Sequence, residues 1–173
     1  MDNASCLIAT NTTVDSFELD VDNIRVTQQF LDEARDIERD MVDRIGAAKL
    51  NLDRCDRRAE QVEMAVKSDL FVEFPAEPVY RVQELRDSVR VKHKLLSGVL
   101  DKAHRLADEC DEKLTMHAAA EYLDDAEAEQ RSKARLKELV LELQNLHRQC
   151  KVVCSLLYDQ STDQATIFSR LRR

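Results

Sequence analysis

Between residues 136 and 157 the apolar side chains fall at Leu136, Leu139, Leu143, Leu146, Cys150, Val153 and Leu157, in steps of 3, 4, 3, 4, 3 and 4. This a/d rhythm of a coiled-coil seam keeps one narrow apolar stripe turned toward neighbouring helices. Carried through Gln160 and Gln164, the same frame meets Ile167 and Leu171, about five heptads in all. A second stripe runs Phe30, Ala34, Ile37, Met41, Ile45, Ala48, Leu52, Cys55, Ala59, Val62, Val66. Its steps alternate between 4 and 3 except for a repeated 4 at Ile45, a stutter that locally unwinds a left-handed supercoil. Gly46 sits beside the stutter and weakens the helix by roughly 1 kcal/mol relative to alanine. The pattern predicts one helix over 24–68, roughly 65–70 Å long at 1.5 Å per residue.

A third stripe, Val82, Leu85, Val89, Leu96, Val99, Ala103, Leu106, Cys110, Leu114 and His117, is interrupted at Lys92 and His93 and predicts a helix over 79–119. Around 118–135 the stripe fades, and projecting the later frame backward puts Ser132, Glu129 and Asp125 at core positions. Asp124 followed by Glu127 reads as a capping box. A turn near Ala119–Asp124 and a third helix over 125–158 follow, with the polar run Asp159–Asp163 fraying or kinking the chain before Ile167 and Leu171. The competing reading is one helix from 79 to about 160, because no glycine or proline enforces the break. The strong breaker is 69–78: Pro75 and Pro78 lack amide donors and push Phe74 and Glu77 toward extended backbone. Phe71, Val72 and Phe74 are too apolar for a solvated linker, so they either plug the end of a bundle or touch a partner. Residues 1–20 read as a flexible tail, although Phe17, Leu19 and Val21 alternate with acids, and Asp20 or Asp22 offers a cap for the first helix.

The fold class expected is therefore all-α: an elongated antiparallel helical bundle or coiled coil of about three long helices, spanning 21–173. Composition agrees. Two glycines and two prolines in 173 residues leave too few turn formers for a multi-stranded sheet. A hydrophobic content of 43% at helical spacing is enough to build a core, which argues against disorder. No repeat of 20–50 residues marks a solenoid.

A net charge of −8 disfavours general nucleic-acid binding and a basic face against anionic lipid. Local basic clusters remain at Arg57-Arg58 and at Arg170, Arg172 and Arg173, and read as solvated ends. No apolar stretch approaches the ~20 residues of a membrane span, and no signal peptide opens the sequence. Asn3-Ala4-Ser5 and Asn11-Thr12-Thr13 match the glycosylation sequon, which matters only in a secreted chain. Five scattered cysteines point to free thiols in a reducing compartment, so the location expected is cytoplasmic, with a cytoskeletal or nuclear setting as variants.

Candidate chemistry is sparse. His147, Cys150 and Cys154 fall at i, i+3 and i+7 and offer soft metal ligands, but Cys150 occupies a seam position and no fourth ligand lies nearby. Asp101 and His104 echo the spacing of di-iron bundles, which require two such motifs and two further carboxylates. Nothing resembles a phosphate-binding loop, a dinucleotide fingerprint or a nucleophile elbow. No catalytic residue, cofactor or metal is expected. The residues assigned to partner binding are Leu136, Leu139, Leu143, Leu146, Cys150, Val153 and Leu157, together with Phe71 and Phe74. Lys133, Arg135, Lys137, Glu138 and Glu142 flank that seam and would set partner choice, or simply pair along a solvated face.

The order of features from residue 50 to 171 carries a resemblance. An apolar stretch ends in Val72-Glu73-Phe74-Pro75-Ala76-Glu77, and two long helices follow. This layout resembles the small coiled-coil subunit of the dynactin shoulder, where an Ile-Pro-Asp-like break precedes a similar helical pair. The likeness lies in layout rather than identical residues, and the N-terminal tail departs from a family that usually starts directly with Leu-rich helix. The resemblance implies a structural role in the dynein cofactor that links cargo to microtubule transport. More broadly, the expected function is that of a non-enzymatic subunit of a cytoskeletal, spindle, kinetochore or vesicle-tethering assembly. Its partners would be other coiled-coil chains or a second copy. The alternative is a self-contained helical adaptor that takes a peptide or helix near Phe71 and Phe74.

Overall fold

The computed structural model of the chain describes residues 28–68 and 75–172. Three α-helices account for nearly all of them: α1, Gln28–Lys67; α2, Ala76–Tyr122; and α3, Ala126–Leu171. No strand occurs among the described residues. The chain is all-α, as the periodicity predicts.

Helix α1 follows its stripe closely. Phe30, Ala34, Ile37, Met41, Ile45, Ala48, Leu52, Cys55, Ala59 and Val62 are all buried, while Val66, in the last turn, is half exposed. The helix passes through the stutter unbroken; Gly46 lies on the solvent side with open space where a side chain would stand. Its end is closed by Ser68, whose hydroxyl donates to the Ala65 carbonyl, and by Lys67 in the favourable last turn, paired with Glu63 at 2.9 Å.

Helix α2 begins three residues before the expected Val79. Pro75 supplies the first acceptor carbonyl, to which the Val79 amide donates at 3.5 Å. Pro78 is the third helical residue, where an amide would have no intrahelical partner, so its missing donor costs nothing there. The end of α2 is an orderly Schellman motif: the Asp125 amide donates to the Ala120 carbonyl at 2.9 Å and the Asp124 amide to Glu121 at 3.2 Å. Asp124 takes the left-handed conformation, with φ 54°. Asp125 then caps α3, its carboxylate accepting from the Ala128 amide at 3.2 Å. The cap is thus Asp125 rather than Asp124, and the break at 123–125 excludes a single helix from 79 to 160.

Helix α3 does not end at 158. It continues to Leu171 through the polar run 159–163, which stays helical rather than fraying. Thr162 and Thr166 bond back to the carbonyls of Tyr158 and Thr162, and Ser161 and Gln164 are buried rather than turned to water. Polarity alone misreads this segment, because side-chain amides and hydroxyls can be satisfied inside a bundle. At the other end Ser132 is buried as the projected frame requires, Glu129 is half-buried and Asp125 is exposed.

The helices contribute to two compact units, one combining residues up to Asp40 with Asp101–Arg148, the other combining Met41–Leu100 with Gln149–Arg173. In the first, Arg35 reaches Asp108 while Glu38 meets His104, so α1 and α2 run antiparallel. Glu109 with Arg135 and Lys102 with Glu142 give the same sense for α2 and α3. In the second unit, Ser88 with Gln160 and Val82 with Gln164 give the antiparallel sense for α2 and α3, and Arg90 ties α2 to Asp56 of α1. Each unit is an up–down–up three-helix arrangement around its own apolar core.

Candidate partner-binding interface

The expected partner seam is spent inside the chain. Leu136, Leu139, Leu143 and Leu146 are buried in the first unit, Cys150 and Leu157 in the second, with Val153 half-buried. A buried side chain offers no area to another protein, so the assignment of Leu136, Leu139, Leu143, Leu146, Cys150 and Leu157 to partner binding is corrected: they are core, and of the seven only Val153 keeps exposed area. The physical reason is that an amphipathic stripe reads the same whether its neighbours belong to the same chain or another. Phe71 and Phe74, the other expected contacts, lie outside the described residues, as do the N-terminal tail and its proposed caps.

The charged residues flanking the seam work within the chain too. Arg135 holds Glu109 of α2 with two bonds, at 2.7 and 3.0 Å, and Glu138 of its own helix at 3.0 Å. That guanidinium holds the Glu109 carboxyl below its usual range, and the two carboxylates raise Arg135 in turn. Its bidentate geometry makes this a well-formed bridge between α2 and α3 in the first unit. On the other side of the unit, Glu38 of α1 bonds both Arg35 and His104, and Asp40 meets the buried His147 at 2.6 Å. Two carboxylates two residues apart on α1 thus grip histidines on α2 and α3.

The candidate metal sets are not assembled. His147 turns its Nε2 to Asp40, and the sulfurs of Cys150 and Cys154 stand 3.9 Å apart. Asp101 is exposed, while His104 is engaged by Glu38. Among the described residues no group of three potential ligands converges. An open groove of about 230 Å³ between α2 and α3 is lined by Lys113, Met116, Ala128, Arg131, Ser132 and Arg135, and contains no paired acid and base.

Among the exposed apolar residues are two pairs on the outside of the second unit. Val91 and Leu95 stand one turn apart on α2, 69% and 56% exposed; Val152 and Leu156 stand one turn apart on α3, 59% and 49% exposed. The antiparallel register set by the Ser88–Gln160 bond, 3.0 Å, brings 91–95 level with 152–157. The half-buried Val99 and Val153 extend the apolar surface inward. Scattered single apolar residues need no explanation on a protein surface, but here two exposed pairs lie level on neighbouring helices. Sequence reasoning missed this flank because each pair sits off its helix's main stripe. The available signal was a second apolar spacing of four on each helix, meaningful only once the two are known to lie side by side.

No family model, curated protein or solved structure matches the chain. No helix among the described residues is long and apolar enough to cross a membrane.

Proposed function

We propose that this chain is a non-catalytic structural subunit of a multi-protein helical assembly, cytoskeletal or microtubule-associated in the sense of the dynactin resemblance. Its location would be cytoplasmic, and its companions other coiled-coil chains. The observation that carries this reading is the flank of Val91, Leu95, Val152 and Leu156. It supplies apolar area outside the core on two adjacent helices, the form in which helical subunits present themselves to one another. The internal seam supports it in a second way. A chain that satisfies its own core does not need a partner to fold, so it can be delivered to an assembly as a preformed piece.

The test compares the full-length chain with a Val91→Asp/Leu156→Asp variant, each purified gently from native cells and weighed as an intact complex. Recovery of the parent in a stoichiometric assembly with coiled-coil companions, lost in a variant of unchanged helicity and melting temperature, is the expected result. A parent recovered alone, with the variant behaving identically, overturns the reading and leaves the self-contained adaptor in its place.

A further inference from the structure

The groove between α2 and α3 in the first unit sets two like charges against each other. The register fixed by Glu109 with Arg135 and Lys102 with Glu142, carried four residues on, puts Lys113 opposite Arg131, and three residues further it puts Met116 opposite Ala128. Like charges held level repel one another unless a carboxylate lies between them. Glu109 is near enough to feel Lys113, but both its oxygens are taken by Arg135, at 2.7 and 3.0 Å. The Lys113 ammonium donates instead to the Met116 sulfur at 3.7 Å, and Arg131 makes no ion pair among the described residues. Met116 is 48% exposed and Ala128 half-buried, so the groove, about 230 Å³, has apolar walls and a basic rim without carboxylates of its own.

The sequence supplies a complementary segment at the right place. Residues 1–27 precede Gln28, and the bonds of Arg35 to Asp108 and of Glu38 to His104 set where they join the bundle. Carried back to the start of α1, that register brings Gln28 level with residue 115 of α2, in the same turn as Lys113 and Met116. Shortly before Gln28 stand Phe17-Glu18-Leu19-Asp20-Val21-Asp22, three apolar residues alternating with three acids. In an extended chain such alternation gives one apolar face and one acidic face. The five residues 23–27 can span up to about 17 Å, and a helix is roughly 10–12 Å across. The alternating run can therefore reach the groove from the start of α1, even around the width of a helix.

We propose that the α2–α3 groove at Lys113, Met116, Ala128 and Arg131 is the docking site for residues 17–22 of this same chain. Phe17, Leu19 and Val21 supply its apolar contacts, and Glu18, Asp20 and Asp22 supply the carboxylates for Lys113 and Arg131. Both cations can reach acids at the rim, because their apolar stems lie along the walls while the charged heads extend beyond them. The volume of the groove suits side chains of an extended segment; a helix, roughly 10–12 Å across, is too wide for it. A short tether gives a local concentration on the order of millimolar, so a contact too weak to join separate molecules is populated within one chain. The inference goes beyond the subunit reading and does not depend on it, since this groove belongs to the first unit and the flank of Val91 and Leu156 to the second.

Carbodiimide coupling of the full-length chain, followed by mass mapping of the monomer band, reads the contact, because it joins an ammonium to a carboxylate only when the two touch. Lys113 is expected to couple to Glu18, Asp20 or Asp22. Amide exchange gives a second readout. Residues 17–22 should exchange at least about tenfold more slowly in the parent than in a Lys113→Glu/Arg131→Glu variant of unchanged helicity. Adding Glu18→Lys, Asp20→Lys and Asp22→Lys to that variant restores complementary charges and should recover the slower exchange. Coupling of Lys113 to Glu109 alone, coupling to residues 17–22 only in dimer bands, or exchange at 17–22 that is the same in all three chains overturns the proposal. Neither readout involves the native assembly, so such a result leaves the subunit reading standing.

Discussion

The cysteines show how burial decides the chemistry of a single residue. Burial pushes the Cys110 thiol up to about 12, with the nearby Glu109 charge adding to it, and burial raises Cys55 as well. A thiol whose folded-state pKa is raised has almost no thiolate at neutral pH, and the thiolate is the nucleophile. Cys154 is half-buried on α3. With Cys6 replaced by serine, an aromatic disulfide reagent at pH 8 is therefore expected to label Cys154 first, while Cys55 and Cys110 resist until the chain is denatured. Mass mapping of the labelled sites checks the order, and prompt modification of Cys110 in the native chain would contradict its burial. These thiols were readable from sequence as small apolar residues, since Cys55, Cys110 and Cys150 all stand in the helical frames and all are buried. The same frame runs through Gln164, which is buried too, but the acceptors of its amide were not readable. Nothing in its neighbours distinguishes an amide that will find two carbonyl acceptors from one that will turn to water.

At the scale of the element, the three helices were legible because each carries a sustained stripe, and their ends were less so because caps depend on geometry rather than composition. The α2–α3 junction is the sharpest case. Asp124-Asp125 shows two equivalent acids in sequence, but only one of them caps α3, and the other occupies a left-handed position that glycine would take more comfortably. Asp125→Ala removes the acceptor for the Ala128 amide and is expected to cost about 1 kcal/mol. Asp124→Gly relieves the left-handed strain, roughly 1 kcal/mol or more for a residue with a side chain, against the roughly 0.5–1 kcal/mol of extra chain entropy that glycine loses on folding. Its net effect should therefore be small or stabilising. Chemical denaturation of the two variants beside the parent gives both numbers. Equal destabilisation by both would mean that the two acids share the capping role, contrary to the bond seen.

At the scale of the whole molecule, the pattern of apolar residues decides what is core, and only juxtaposition of helices decides what is left for others. The seam from Leu136 to Leu157 and the flank at Val91 and Leu156 are both apolar, yet one is enclosed and the other open. The same contrast exists within a single turn of α3, where Leu143 is fully buried and Leu141 is 52% exposed. Leu143→Asp places a carboxylate among apolar side chains with no partner, a change in the class that costs 4 kcal/mol or more, about the size of a small protein's whole stability. Leu141→Asp exchanges one solvated side chain for another and belongs with surface changes of about 0.5 kcal/mol or less. Circular dichroism melts of the two purified variants, with no companion protein present, should show collapse of the first and a nearly unchanged curve for the second. Were the seam instead a surface awaiting a partner, Leu143→Asp would leave the isolated chain as stable as Leu141→Asp does. The comparison thus tests, without knowing the assembly, whether the chain folds before it binds.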